Sequence, residues 1–104
     1  MTQSRLETFK RYVEKDPRNS FARYSLAMEY RTANQLEAAL TTFEELIAQD
    51  PAYVPAYLMA AEAAVDLGAR EKAGAILRKG IAAAQAAGNS HAVSKMTDLL
   101  DSLA

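Results

Sequence analysis

The sequence predicts an all-α fold: antiparallel helix pairs stacked side by side, about six helices in all. Three observations carry that prediction. The pair Asp16-Pro17 returns 34 residues later as Asp50-Pro51, and the same offset links Phe9 with Phe43, Val13 with Ile47, Leu26 with Ala60, Ala27 with Ala61, Ala39 with Ala73 and Phe43 with Leu77. Repetition at that period marks a helical solenoid, in which each unit buries its apolar side against the next. Half of the 104 residues are hydrophobic while only four are Gly and three are Pro, which suits closely packed helices with short connections. Within each segment, finally, apolar residues recur at three- and four-residue steps, the spacing of one helix face.

The first helix is expected over Gln3 to Lys15. Leu6, Phe9, Tyr12 and Val13 make its apolar stripe, and Arg5, Glu7, Lys10, Arg11 and Glu14 fall on the other side. Pro17 ends it, because the residue before a proline is driven out of the helical region. The stripe aligns with the second half of the repeating unit: Phe9, Tyr12, Val13, Asp16 and Pro17 answer to Phe43, Leu46, Ile47, Asp50 and Pro51. The chain therefore opens with half a unit, residues 1–17.

The first whole unit covers residues 20–53. Asn19 or Ser20 can cap its first helix, Ser20 to Ala33, by accepting bonds from the free amides of the first turn. Ala22 and Ala27 on its inner face allow close approach of a neighbour, and Leu26 and Tyr30 fill the surrounding space. Asn34 follows at the turn, and its counterpart one unit later is Gly68. Asn and Gly are the residues that best tolerate the left-handed backbone with which many helices end. The partner helix, Leu36 to Gln49, carries Leu36, Ala39, Leu40, Phe43, Leu46 and Ile47 on one stripe.

The second whole unit, residues 54–87, repeats the scheme. Pro55 suits a first helical turn, where its missing amide costs nothing. Ala56, Tyr57, Ala60, Ala61, Ala64 and Leu67 supply the packing face, and a helix from Arg70 to Ala87 follows with Ala73, Leu77 and Ile81 at matching places. Gly74 and Gly80 inside that helix each cost about 1 kcal/mol relative to Ala, so both are expected at close contacts with a neighbour. Gly88 ends it. Asn89-Ser90 can cap a last helix, Ser90 to Leu103, within a terminal segment 89–104. Its Val93, Met96, Leu100 and Leu103 answer to Tyr57, Ala60, Ala64 and Leu67 at a spacing of 36. Asp98, Asp101 and Ser102 fall outward, as a solvated terminal cap requires.

With these positions placed, the chain resembles the tetratricopeptide repeat proteins over nearly its whole length, as a single domain of residues 1–104. Leu26, Ala27, Tyr30, Ala39, Phe43, Leu46 and Pro51 match the family's preferred residues in the first unit, and Tyr57, Ala61, Gly68 and Ala73 do so in the second. Leu77, Gly80 and Gln85 depart from the pattern, where an aromatic, an Ala and a closing Pro are usual. The resemblance implies a right-handed superhelix whose concave groove binds a peptide or protein segment, lined by the first helix of each pair. It implies a groove set of Phe21, Tyr24, Met28 and Arg31, then Leu58, Met59, Glu62 and Asp66, then His91 and Lys95. Phe21, Tyr24 and Met28 read as side chains surplus to the core, Met and Tyr suiting an adaptable surface. Leu58 and Met59 equally suit packing between units. Glu62, Asp66 and Asp98 make the far end acidic, so the expected ligand carries an apolar anchor near Lys or Arg. Some relatives grip a C-terminal carboxylate through Lys and Asn. Here those places hold Tyr24, Met28, Met59 and His91, with Lys95 alone keeping the charge, which argues against that mode.

Composition narrows the function further. With 12 basic and 13 acidic residues interspersed, the chain shows no electrostatic footprint for nucleic acid or for a membrane surface. No run reaches the ~18 apolar residues of a membrane span, the N-terminus lacks a signal-peptide core, and a cytoplasmic protein is expected. Cys is absent, so thiol catalysis and disulfides are excluded. His91 at a helix start reads as a solvated residue and not a base. Glu62 and Asp66 share a face but are too few for a calcium site. No enzyme, cofactor or metal is expected. The alternative to partner binding is self-association through the groove or the first helix, whose broad stripe lacks its usual partner.

Overall fold

The computed structural model describes the backbone of residues 2–104 and the side chains of residues 5–104, and among these residues it forms six helices and no strand. They are α1 (Thr2–Lys15), α2 (Ser20–Thr32), α3 (Leu36–Gln49), α4 (Pro55–Asp66), α5 (Arg70–Ala86) and α6 (Ser90–Ser102). The expected helix ends agree with these to within a residue. Each helix packs on its neighbours in sequence and α4 also touches α6, giving a stack of 38 × 28 × 19 Å.

Local chemistry sets the helix ends, and it does so twice over. The Asn19 side chain accepts from the Ala22 amide at 3.0 Å, and Asn89 accepts from Ala92 at 3.0 Å. Asn34 takes φ +61° and Gly68 φ +79°, the left-handed backbone expected at both. The following amides then close back on free carbonyls, Gln35 on Tyr30 at 2.9 Å and Ala69 on Ala64 at 2.8 Å. Gly88, at φ +68°, ends α5 in the same way, with Asn89 on Ala84 at 2.9 Å.

The core runs along the seams between helices. Ala27, Ala39, Ala61 and Ala73 are wholly buried, so their backbones approach closely, while Phe43, Leu46 and Leu77 fill the space beside them. Arg23 and Tyr57, one period apart, make the same link: Arg23 Nη2 donates to the Pro17 carbonyl at 3.1 Å and the Tyr57 hydroxyl to the Pro51 carbonyl at 2.6 Å. Gly80 is required by contact, since a Cβ there would lie 2.5 Å from Tyr57 Cβ and 2.6 Å from Met96 Sδ. Gly74 corrects the sequence expectation. A Cβ there would meet only the flexible Arg78 guanidinium and Leu100, at 3.7 to 3.8 Å, which is ordinary contact.

At the N-terminal end α1 rests on α2. Leu6 is buried, Phe9 and Val13 are half-buried, and Tyr12 is 53% exposed. The exposed Arg5 pairs with Glu29, the buried carboxylate of α2, and so pins α1 down.

Candidate peptide-binding face

The helices α2, α4 and α6 lie side by side. Arg31 reaches from α2 to α4, where Nη2 donates to Glu62 Oε1 at 2.8 Å and Nη1 lies 3.0 Å from Met59 Sδ. In turn α4 touches α6. The first helices of the three pairs are thus linked in a row, and their solvent-facing side is the candidate face.

On α2 that face is aromatic and apolar. Phe21, at 68% exposure, projects most fully, and Tyr24 and Met28 are half-buried. These three border a cleft of about 240 Å³, together with Phe9 and Arg5 of α1. Tyr24 does more than line it. Its ring lies edge-on to Phe43, with centroids 5.9 Å apart, and tilted against Tyr53 at 5.5 Å. The expectation that Tyr24 is surplus to the core is thus corrected: it joins α2 to α3 and to the connection before α4. Burial pushes its phenol above the ordinary value, with Arg31 opposing and Glu62 adding to the shift. Tyr53 moves the same way, by burial first and then by Tyr24 and Asp50.

Further along, Leu58 and Met59 lie half-buried against the core. Glu62 is not a free carboxylate, because Arg31 pairs with it while both stay about one-third exposed. The ion pair joins two units and removes much of the negative charge expected of Glu62. Asp66, His91 and Lys95 are exposed, the first at the end of α4 and the others on α6, outside the α2 cleft. The structure therefore gathers Phe21, Tyr24 and Met28 into one cluster and Arg31, Met59 and Glu62 into a second. It leaves Asp66, His91 and Lys95 on the surface and Leu58 packed against the core.

Phe9, Tyr53 and Glu29 were not singled out as site residues from sequence. One of them had a signal: Glu29 is one period before Ala63, which is wholly buried, and a carboxylate at such a position calls for a cation. Among the described residues no three His, Cys, Asp or Glu side chains could together hold a metal ion, and no helix is long and apolar enough to cross a membrane.

The profile described as Tetratricopeptide repeat matches residues 30–96, more than half of the chain, and the protein belongs to that family. Its fold is accordingly the right-handed superhelix of the family, whose members are generally interaction modules without catalysis of their own. A tetratricopeptide repeat domain protein from Salinibacter ruber is 31% identical, with a TM-score of 0.79 over 85% of this chain and 89% of that one. PcrH in complex with the chaperone binding region of PopD superposes with a TM-score of 0.90 at 16% identity, covering 98% of this chain and 77% of that one. The TPR2B domain of yeast Sti1, in its complex with pHsp70, gives 0.87 at 15% identity over 94% and 78%. No curated protein matches the chain in sequence.

Proposed function

We propose that this protein is a small scaffold that binds a peptide or protein segment on the face shared by α2, α4 and α6, and that it is not an enzyme. The observation that carries this reading is Phe21, an aromatic side chain 68% exposed beside a cleft. A large exposed aromatic next to Tyr24 and Met28 serves as an anchor point, because buried aromatic contacts dominate interface energies. The structural likeness to PcrH and Sti1, both solved in complex with another protein or a segment of one, supports the same reading. The ligand that fits has a bulky apolar side chain for the α2 cleft and a Lys or Arg directed at Asp66 and Asp98. Arg31 and Glu62 satisfy each other and act as a floor, not as charge readers.

The test is selection from a random peptide library displayed on phage, followed by chemical-shift mapping on the labelled protein. Enriched peptides should share an apolar anchor followed within a few residues by Lys or Arg, and should perturb amides of α2, α4 and α6. Phe21→Ala should weaken them by about 1–3 kcal/mol with the fold unchanged. Shifts confined to α3 and α5, with full affinity in Phe21→Ala, would place the binding surface on the opposite side.

A further inference from the structure

A cleft of about 600 Å³ opens between α5 and α6, with Arg70, Gly74 and Arg78 on one wall and Leu100 and Leu103 on the other. It shares no residue with the candidate peptide-binding face. Residues 70, 74 and 78 are four apart and so form one stripe along α5. One period earlier the same stripe on α3 reads Leu36, Leu40 and Glu44, with Leu40 buried. The core face beside it is kept, since Ala39 and Ala73, like Phe43 and Leu77, are all wholly buried. Only the chemistry of the stripe has gone from Leu-Leu-Glu to Arg-Gly-Arg.

Packing does not account for that change. Gly weakens a helix interior relative to Ala, yet a Cβ at Gly74 would meet Leu100 and Arg78 only at ordinary contact distance. What the missing side chain leaves is a strip of bare backbone on the cleft wall, the use of glycine where a ligand approaches closely. The Arg78 guanidinium folds back over this strip, with both Nη atoms 3.7 Å from where the Cβ would stand. Arg78 is exposed and makes no ion pair among the described residues. Arg70, also exposed, donates from Nη1 to the Leu103 carbonyl at 3.3 Å and makes no ion pair either.

We infer that this cleft binds an acidic segment of a partner protein, with one carboxylate on the Arg78 guanidinium and a second near Arg70. A guanidinium holds a carboxylate through two parallel hydrogen bonds, which gives such a contact its geometry as well as its charge. The two walls suit an extended segment whose alternate side chains point opposite ways. Acids at positions i and i+2 lie about 7 Å apart on one side. Arg70 and Arg78 are rooted about 12 Å apart along α5, and the fold of Arg78 towards Gly74 shortens that span. The residue between the acids then faces Leu100 and Leu103, which are half-buried and apolar. Glu71 and Asp101 also border the cleft, and their charge opposes such a ligand. That opposition supplies a control of defined sign.

Titration of the isotope-labelled protein with the blocked peptide acetyl-Gly-Glu-Leu-Glu-Gly-amide, followed by amide shifts, tests this. The peptide should perturb residues 70–78 and 100–103 and saturate, and its counterpart with Gln for both Glu should bind at least fivefold more weakly. Arg78→Gln should weaken binding at least fivefold. Gly74→Ala should weaken it several-fold while the melting temperature holds or rises, a combination that a purely structural glycine would not give. Asp101→Asn should tighten binding. No saturation at millimolar peptide would overturn the inference, as would equal binding of the Gln peptide or unchanged affinity in Arg78→Gln. Weaker binding in Asp101→Asn would mark a site for basic segments instead. Inorganic phosphate that displaces the peptide at equal concentration would make the cleft a site for free anions and overturn the inference equally.

Discussion

Helices α1 and α3 occupy the same place in successive units, yet their equivalent side chains live in different surroundings. On α3, Phe43 and Leu46 are wholly buried; on α1, Phe9 is half-buried and Tyr12 is 53% exposed. The stripes match residue for residue, so the difference comes from neighbours. Among the described residues α3 packs on a helix at each side, α2 and α4, while the main packing of α1 is on α2. In a solenoid, stability is roughly a sum of unit and interface contributions, and a helix packed mainly on one side has fewer of them. The ion pair from Arg5 to the buried Glu29 partly makes up the difference, at the cost of placing a carboxylate where the next unit has Ala63.

The largest expected effect comes from deleting the two equivalent rings. Phe43→Ala removes a wholly buried ring that also carries Tyr24, and should cost about 3–5 kcal/mol. Phe9→Ala should cost about 1–2 kcal/mol, because half of the ring already faces water. Denaturant unfolding in dilute solution measures both. Equal losses would erase the distinction between edge and interior.

The glycines of α5 sharpen the comparison within one helix. Gly80→Ala drives a Cβ into Tyr57 and Met96 and should cost about 1–3 kcal/mol despite the better helix propensity of Ala. Gly74→Ala meets no such obstacle and should gain up to about 1 kcal/mol. Opposite signs in thermal melts of the two variants are the expected result.

A smaller effect is pH-dependent. Burial raises the phenols of Tyr24, Tyr53 and Tyr57 above their ordinary value of 10.0. The unfolded chain then loses these protons at lower pH than the folded one. Their contribution is fully present below pH 10 and is lost as pH rises through the raised values. Melting temperature should fall between neutral pH and pH ~11, and Tyr24→Phe should flatten part of that fall.

How much of this was legible in the sequence depends on the kind of interaction. The caps at Asn19 and Asn89 and the left-handed Asn34 and Gly68 were legible because they depend on a few adjacent residues. So was the burial of Ala27, Ala39, Ala61 and Ala73, which follows from helical periodicity and the offset of 34. Contacts between units were not. That Arg31 reaches Glu62, or that Tyr24 leans on Tyr53, depends on the rise and twist from one helix to the next, which the repeat length leaves open. Gly74 and Gly80 looked alike in sequence for the same reason: the helix crossing decides which of them meets a neighbour. Within the candidate face, the sequence marked Phe21, Tyr24 and Met28 alike as surplus to the core, and could not show that Tyr24 and Met28 pack against it. It could not show that Glu62 is already paired.

Amide hydrogen exchange resolved by helix, at a concentration where sedimentation gives the mass of a single chain, tests the central claim most directly: burial at equivalent positions is set by the number of neighbours. Local opening should be cheapest where a helix packs mainly on one side. The α1 amides should therefore exchange well before those of α3 and α4, and Arg5→Ala should speed α1 further while leaving α3 unchanged. Protection of α1 equal to that of α3, in a monomer, would contradict the account.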